Sequence, residues 1–166
     1  MSASDAAGRI VQISVSAGGV PKRPVARARA GPLGLDGDAH RNSALHGGPE
    51  RALCLFALER LEALRAEGHP VAPGALGENL TVAGLDWDTV GPGARFRVGD
   101  GVLIEVTRFT SPCGNIRAAF RDGDSGRIAQ TRHPGWSRVY ARVLEPGEIR
   151  AGDPIVRVAT GGGATP

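Results

Sequence analysis

A turn that follows one predicted strand presents a thiol between cationic side chains. The alternating run Val102–Val106 predicts a strand of about five residues, and Ser111-Pro112 ends it so that Cys113 lies in a turn. Arg108 and Arg117 flank this turn, and nearby positive charge favours the thiolate over the thiol. The pattern predicts that Cys113 reacts as a nucleophile or binds a soft metal.

The second cysteine, Cys54, has a different setting. It lies within seven consecutive apolar residues, 52–58, and free cysteine is among the most buried residue types. We therefore predict that Cys54 is a core residue. Because there is no CxxC and no paired spacing, the two cysteines indicate neither a zinc ribbon nor a disulfide framework, and they fit a reducing compartment.

Two glycine-containing loops carry groups that can bind anions. The loop 18–24 contains two glycines and two prolines, which exclude helix and central strand. Further along, a His-Gly-Gly sequence can turn consecutive backbone N–H groups toward an anion. The residues concerned are Lys22 and Arg23 in the first loop, and His46, Gly47, Gly48 and Arg51 in the second. The alternative for both loops is an ordinary turn with solvated charges.

Histidine and aspartate side chains lie between these loops. The passage Gly31–His40 is long and glycine-punctuated, and such loops inside a domain are often functional. A metal site built from His40, His46, Asp36 and Asp38 has to be considered. Their spacings match no closed set of ligands, so the sequence does not favour it.

A carboxylate and an amide stand just before a short predicted strand that begins at Leu80. Glu78 can orient a partner side chain, donate a proton, or tie down the loop backbone, and the last is the commonest role. Asn79 can contact a ligand or occupy a left-handed backbone position. The sequence leaves these alternatives open.

The elements that position these residues are predicted to be mostly strands. With 166 residues, 41% of them apolar, the chain can bury a single core. Its 25 glycines and 12 prolines are spread along the chain, as expected for many short strands joined by turns. We therefore predict a mainly β (α+β) fold with a flexible N-terminus over 1–8, one domain over 9–158 and a disordered tail over 159–166.

Periodicity alone allows one helix from Pro49 to Glu67. The continuous apolar run 52–58 favours a buried strand to about Ala57 instead, followed by a helix to Glu67. Gly68 then ends the helix in the left-handed position.

Composition argues against two classes of partner. The net charge of +3 is distributed and only 4% of residues are aromatic, so a nucleic-acid surface is not predicted. No segment has the length of a signal peptide's apolar region or of a membrane span. We therefore expect a cytoplasmic protein without a membrane partner.

Several ordered motifs together resemble the MOSC domain, the C-terminal domain type of molybdenum cofactor sulfurases, in its bacterial stand-alone form. The resemblance covers residues 9–158 and implies a β-barrel-like fold with a few short helices. The motifs that carry it are GGVPK (18–22), GLDGD (34–38), HGGPERALC (46–54), GENLTV (77–82), SPC (111–113), and GW with the ending PGEIRAGDPI.

The resemblance implies a molybdenum–molybdopterin cofactor whose metal is bound by the Cys113 thiolate. The resemblance implies that the cationic loop and the glycine-containing loop together bind the phosphate end of this cofactor. The implied cofactor-binding residues are Lys22, Arg23, His46, Gly47, Gly48, Arg51 and Asn115.

Some relatives reduce N-hydroxylated compounds with electrons from separate redox proteins. By resemblance, Cys113 would hold the metal while Glu78, Asn79 or His40 positions or protonates a small-molecule substrate. The alternative is a non-catalytic module that carries the cofactor or a Cys113 persulfide. The sequence does not favour a pyridoxal phosphate enzyme, because such an enzyme would need Lys22, the only lysine, as its Schiff-base amine in a Gly/Pro loop.

Overall fold

A closed seven-stranded barrel forms the body of the protein in the computed structural model. The structure describes residues 7–18, 20–38, 49–112 and 114–159. Its strands are β1 (Gly8–Val15), β2 (Arg23–Val25), β3 (Arg27–Gly31), β4 (Gly34–Leu35), β5 (Leu53–Ala57), β6 (Leu80–Ala83), β7 (Arg95–Val98), β8 (Val102–Phe109), β9 (Val139–Glu145), β10 (Gly147–Arg150) and β11 (Pro154–Val158). The predicted mainly β, barrel-like fold is confirmed. The predicted flexible start and tail lie almost wholly outside the described residues.

Hydrogen bonding runs around the barrel in the order β1-β11-β7-β8-β9-β5-β6 and closes on β1. Only the β5–β6 pair is parallel within this ring of described strands. β2 pairs with the end of β1, while β10, β3 and β4 form a separate three-stranded sheet. Closure leaves the barrel without an unpaired edge, because its first and last strands bond to each other.

Alternating apolar residues line the barrel interior, as the strand period of two requires. Ile104 on β8 lies opposite Phe96 on β7, and both are fully buried. Leu55 on β5 lies opposite both Val139 and Leu80, also at zero exposure. Each such side chain contributes roughly 1.5–3 kcal/mol by leaving water, so this shared interior is the main source of stability.

The parallel β5–β6 pair depends on one helix. Parallel neighbours need a crossover connection, and α1 (Leu58–Ala66) begins it directly after Ala57, as predicted. Leu61 and Leu64 are buried on the helix face, and Gly68 ends the helix at φ +98°. No helix in the described ranges is long and apolar enough to span a membrane.

Strand β8 runs three residues beyond the predicted end at Val106, to Phe109. The extension exists because β9 pairs along its whole length, with a register shift between Val106 and Arg108 and with Phe109 opposite Val139. The backbone N–H of Thr110 donates to Arg138 at 3.1 Å, so the ladder continues one residue further. The turn before Cys113 therefore starts from a fixed, fully paired strand end.

We predict that Leu55→Ala lowers the free energy of unfolding by about 2–5 kcal/mol, because it leaves a cavity at the centre of the barrel wall. The matched control is Leu33→Ala, since Leu33 is 73% exposed and its loss should cost less than about 0.5 kcal/mol. Urea unfolding of both variants measures the difference. Equal destabilisation would contradict the assignment of Leu55 to the core.

Candidate functional site

Polar side chains form a row on the outer face of the barrel wall. Residues directly opposite each other in a ladder share a face, so Tyr140 and its partners Cys54 and Arg108 point away from the interior that Val139 and Ala141 line. Asn79 continues the row from the end of β6, because its backbone N–H donates to the Cys54 carbonyl at 2.7 Å. Thr110 and Arg138, which pair at the end of the β8–β9 ladder, lie on the same face, and we call the surface formed by these six residues the outer polar row.

Two loops cover the outer polar row and exclude water from much of it. Lys22 and Gly74 join these loops through a backbone hydrogen bond of 2.9 Å. A Cβ at Gly74 would collide with the Lys22 carbonyl oxygen, and one at Gly77 would come within 3.1 Å of Val20. Glycine at these positive-φ positions (+88° and +82°) therefore lets backbone pack on backbone.

A buried ion pair holds the loop residue Lys22. Its Nζ lies 2.7 Å from Asp38 Oδ1, and the side chains are 8% and 1% exposed. The Ser16 backbone N–H donates to the same oxygen at 3.0 Å, while Asn79 Nδ2 donates to Oδ2 at 2.9 Å. Each oxygen of the Asp38 carboxylate thus accepts at least one hydrogen bond, and a buried ion pair is stable only when its remaining polar atoms are bonded in this way.

Asn79 connects three strands through its side-chain amide. Its Oδ1 accepts from the Cys54 N–H at 3.0 Å, and its Nδ2 also donates to the Ser14 carbonyl at 3.2 Å. No described residue other than glycine has a positive φ, so the left-handed alternative for Asn79 is wrong. A ligand contact for Asn79 stays a prediction.

Glu78 is completely buried under the covering loop. Its carboxylate accepts from the N–H groups of Gly74 and Leu76 at 3.1 and 3.3 Å, and from the Thr81 hydroxyl at 3.1 Å. Burial raises the pKa of Glu78, and the hydrogen bonds and the nearby Arg138 charge oppose that rise. These contacts match the loop-tying role among the three alternatives, and the proton-donor role stays a prediction.

Cys54 is buried, as the sequence predicts, although it lies on the outer face of the barrel wall and not in the apolar interior. It is 7% exposed on β5, and burial raises the pKa of its thiol to about 11. The Arg138 and Lys22 charges lower that pKa, whereas Glu78 and Asp38 raise it. Cys54 therefore lies among the charged groups of the outer polar row, yet its own ionisation is suppressed.

Arg138 is a buried cation that the sequence does not reveal. It is 6% exposed, and its Nη1 donates to the Leu76 carbonyl at 2.7 Å. Its Nη2 lies 3.5 Å from the Ser111 carbonyl, just before Cys113 in the chain. Strand alternation at Val139 and Ala141 predicts an exposed side chain at position 138. The covering loop that contains Leu76 buries the Arg138 side chain, and no local sequence pattern around Arg138 predicts this contact.

The predicted cationic loop residues are only partly brought together. Arg51 lies in a 3₁₀ helix (Pro49–Arg51), and its guanidinium sits 5.5 Å from the ring centre of Tyr140. That contact puts Arg51 at the β9 side of the outer polar row, whereas Lys22 lies at the β1 and β6 side. Arg23 is exposed on β2.

Several predicted site residues lie outside the described residues: His40, His46, Gly47, Gly48 and Cys113. On either side of Cys113, the described chain ends a ladder at Thr110 and begins a 3₁₀ helix at Gly114 that includes the backbone of Asn115. Among the residues that the structure describes, no three His, Cys, Asp or Glu side chains group closely enough to hold a metal ion.

Comparison with known proteins matches the MOSC domain model to residues 42–156. The protein YiiM of Escherichia coli (strain K12) is 37% identical over 133 residues, which are 76% of this chain and 57% of YiiM. A protein named "Reductase" from Gibberella moniliformis is 35% identical over 127 residues, 74% of this chain and 22% of that protein. The chain thus spans little more than half of YiiM and a smaller part of the reductase.

A solved structure gives the same fold. The crystal structure of YiiM from Geobacillus stearothermophilus superimposes with a TM-score of 0.73 at 30% sequence identity. The match covers 95% of this chain and 78% of the YiiM chain. The similarity therefore includes the barrel and the loops that cover its outer polar row.

We predict that Asp38→Asn destabilises the protein by about 3–5 kcal/mol, because it leaves the Lys22 ammonium buried without a carboxylate. Adding Lys22→Met should recover part of the loss, since the coupled pair is then removed together. The control is Glu145→Gln, whose pair with Arg97 is exposed (55% and 37%) and should cost less than about 1 kcal/mol. Strictly additive losses in urea unfolding would refute the coupling.

We also predict that Cys54 resists alkylation in the folded protein. With a pKa of about 11, roughly one thiol in a thousand is ionised at pH 8, and burial blocks access as well. In a Cys113→Ser variant, iodoacetamide should leave the native protein unmodified and label one site after denaturation. Mass spectrometry reads the result, and rapid native labelling would show that Cys54 is accessible.

Proposed function

Since the chain belongs to the MOSC domain family, we propose that it binds a molybdenum–molybdopterin cofactor through Cys113 and reduces N-hydroxylated small molecules. The observation that carries this proposal is the outer polar row, which includes the buried Arg138 guanidinium and ends at Thr110, three residues before Cys113 in the chain. The relative named "Reductase" supports an oxidoreductase activity. A substrate of this class takes up two electrons and two protons and leaves as the amine and water.

The described residues fit such a cofactor in charge and in donor chemistry. The cofactor is anionic and rich in oxygen and nitrogen acceptors. Arg138 offers a buried N–H without a partner among the described residues, and Arg51 adds positive charge beside Tyr140 on the same face. Donors and cations in a water-excluded place are suited to a ligand of this kind.

Each proposed residue has a role that its chemistry allows. Cys113 supplies a soft thiolate as the ligand to molybdenum. Lys22, Arg23 and Arg51 attract the phosphate end, although Lys22 reaches it only together with its partner Asp38. The backbone of His46, Gly47 and Gly48 is proposed to donate to the same phosphate, and Asn115 to contact the pterin.

The proton-handling residues are proposed from the same set. Asn79 is held rigidly by Cys54, Ser14 and Asp38, so it can orient a substrate group without moving. Glu78 has a raised pKa because it is buried, and a raised pKa is what a carboxyl group needs to donate a proton near neutral pH. His40 is the third proposed donor. The electrons would come from a separate redox protein.

A second candidate function is a non-catalytic carrier of the cofactor or of sulfur. The burial of Cys54 and its high pKa leave Cys113 as the thiol for a persulfide. A pyridoxal phosphate enzyme remains disfavoured. Lys22 Nζ lies 2.7 Å from Asp38 Oδ1 and its side chain is 8% exposed, whereas a Schiff-base lysine must be free to attack a carbonyl carbon.

We predict that Cys113→Ala abolishes molybdenum retention and reduction of an N-hydroxylated purine by protein isolated from a cofactor-competent host. Loss of the soft ligand removes the metal's attachment to the protein. The matched control, Cys54→Ala, should keep both properties. Metal analysis and a reductase assay with a reduced dye as electron donor measure the two effects.

The same samples separate the two candidate functions. Bound molybdenum without reductase activity, or a persulfide on Cys113 found by mass spectrometry, would favour the carrier. A Cys113→Ala protein that retains wild-type molybdenum content and activity would refute both.

A further inference from the structure

Two buried polar atoms at the end of the β8–β9 ladder have no hydrogen-bond partner among the described residues. They are the hydroxyl Oγ1 of Thr110 and the guanidinium Nε of Arg138. Thr110 is 4% exposed and Arg138 is 6% exposed. Buried donors without partners are rare because they have lost water and gained nothing in return. Each therefore calls for an explanation.

The two atoms belong to neighbouring residues on one face of the barrel wall. Thr110 donates its backbone N–H to the Arg138 carbonyl, which continues the register that sets Phe109 opposite Val139. Directly opposite residues have Cβ atoms about 4.5–5.5 Å apart on the same face. Both side chains thus belong to the outer polar row, and one small ligand can reach both.

We propose that Thr110 and Arg138 form a subsite for a phosphate-type oxyanion. A guanidinium N–H and a hydroxyl are both donors, and together they match the oxygens of one anion. The buried carboxylate of Glu78 already accepts from Gly74, Leu76 and Thr81 and forms no ion pair with Arg138 within the described residues. The guanidinium keeps a donor for a ligand.

The subsite has an approach from solvent. Ser111, the next residue after Thr110, is exposed, and its carbonyl faces the Arg138 guanidinium at 3.5 Å. An anion can therefore approach Arg138 past the exposed Ser111. The inference rests on the proposed function in one respect: the phosphate would belong either to the substrate of the same site or to the cofactor, and in the second case Thr110 and Arg138 replace the loop residues proposed above as the cofactor's phosphate site.

Inorganic phosphate is the probe that tests the subsite. Its binding to the cofactor-free chain is measured by calorimetry and by the shift in melting temperature, with chloride at equal ionic strength as the reference. Arg138→Gln should weaken phosphate binding by about ten- to a hundredfold, the effect of one lost charge-assisted hydrogen bond. The control Arg29→Gln makes the same change of charge at an exposed position in the three-stranded sheet and should leave binding unchanged.

Thr110 supplies a variant that preserves the fold. Thr110→Val removes an unpaired hydroxyl without changing side-chain size, so the melting temperature without phosphate should stay level or rise while the increase caused by phosphate shrinks. Thr110→Ser keeps the hydroxyl and should retain the response. If Thr110→Val binds phosphate like the wild type, the inference is overturned, even if Arg138→Gln fails to fold.

A second arm identifies the source of the oxyanion. If protein loaded with the cofactor no longer responds to inorganic phosphate, the subsite holds the cofactor's phosphate. A response that persists in loaded protein assigns the subsite to a phosphate on the substrate. If the protein retains molybdenum but its response to phosphate is the same with and without the Thr110 hydroxyl, the subsite alone is refuted. If the phosphate response depends on Thr110 but the protein retains no molybdenum, the proposed function alone is refuted.

Discussion

The carboxylate of Asp38 is the interaction on which the covered face of the barrel depends. It accepts from the Lys22 ammonium, the Asn79 amide and the Ser16 backbone, so it joins the end of β1, the loop before β2 and the start of β6. A carboxylate that is 1% exposed is stable only when such donors replace its water. The hydrogen bonds and the ion pair of Asp38 therefore hold the loops over the barrel wall. Without these donors, burying the Asp38 charge would cost too much free energy.

Covering the outer face changes what a barrel wall can do. Side chains that point outward from a strand normally meet water, where a charge is screened and a hydrogen bond contributes little. Under the covering loops, Glu78 and Cys54 share a poorly solvated space with Arg138, where burial raises the pKa values of the Cys54 thiol and the Glu78 carboxyl and the Arg138 charge opposes that rise. The same wall thus has an apolar inner face that supplies stability and a polar outer face with the setting that catalysis or ligand binding requires.

The sequence predicts the local elements well because their signals are local. The apolar run before Ala57, the helix after it and Gly68 at its end all follow from residue type and spacing. The burial of Cys54 follows in the same way. The extra length of β8 does not follow from its own residues, because it comes from pairing with β9, a strand some thirty residues away. The length of a strand therefore depends on the strand that pairs with it as well as on its own residues.

The site is less predictable than the fold for a related reason. Glu78 and Asn79 are recognisable as polar residues before a strand, but whether they contact ligand or backbone depends on which loop lies above them. Arg138 gives no signal at all, since its strand position predicts exposure and a loop some sixty residues away buries it. A polar residue on the outer face acquires a shifted pKa or an unpaired donor only when backbone from a distant part of the chain excludes water from it. For barrels of this kind, the residues to inspect are therefore the polar ones at outward strand positions beneath glycine-rich loops, because there the backbone approaches closely enough to exclude solvent.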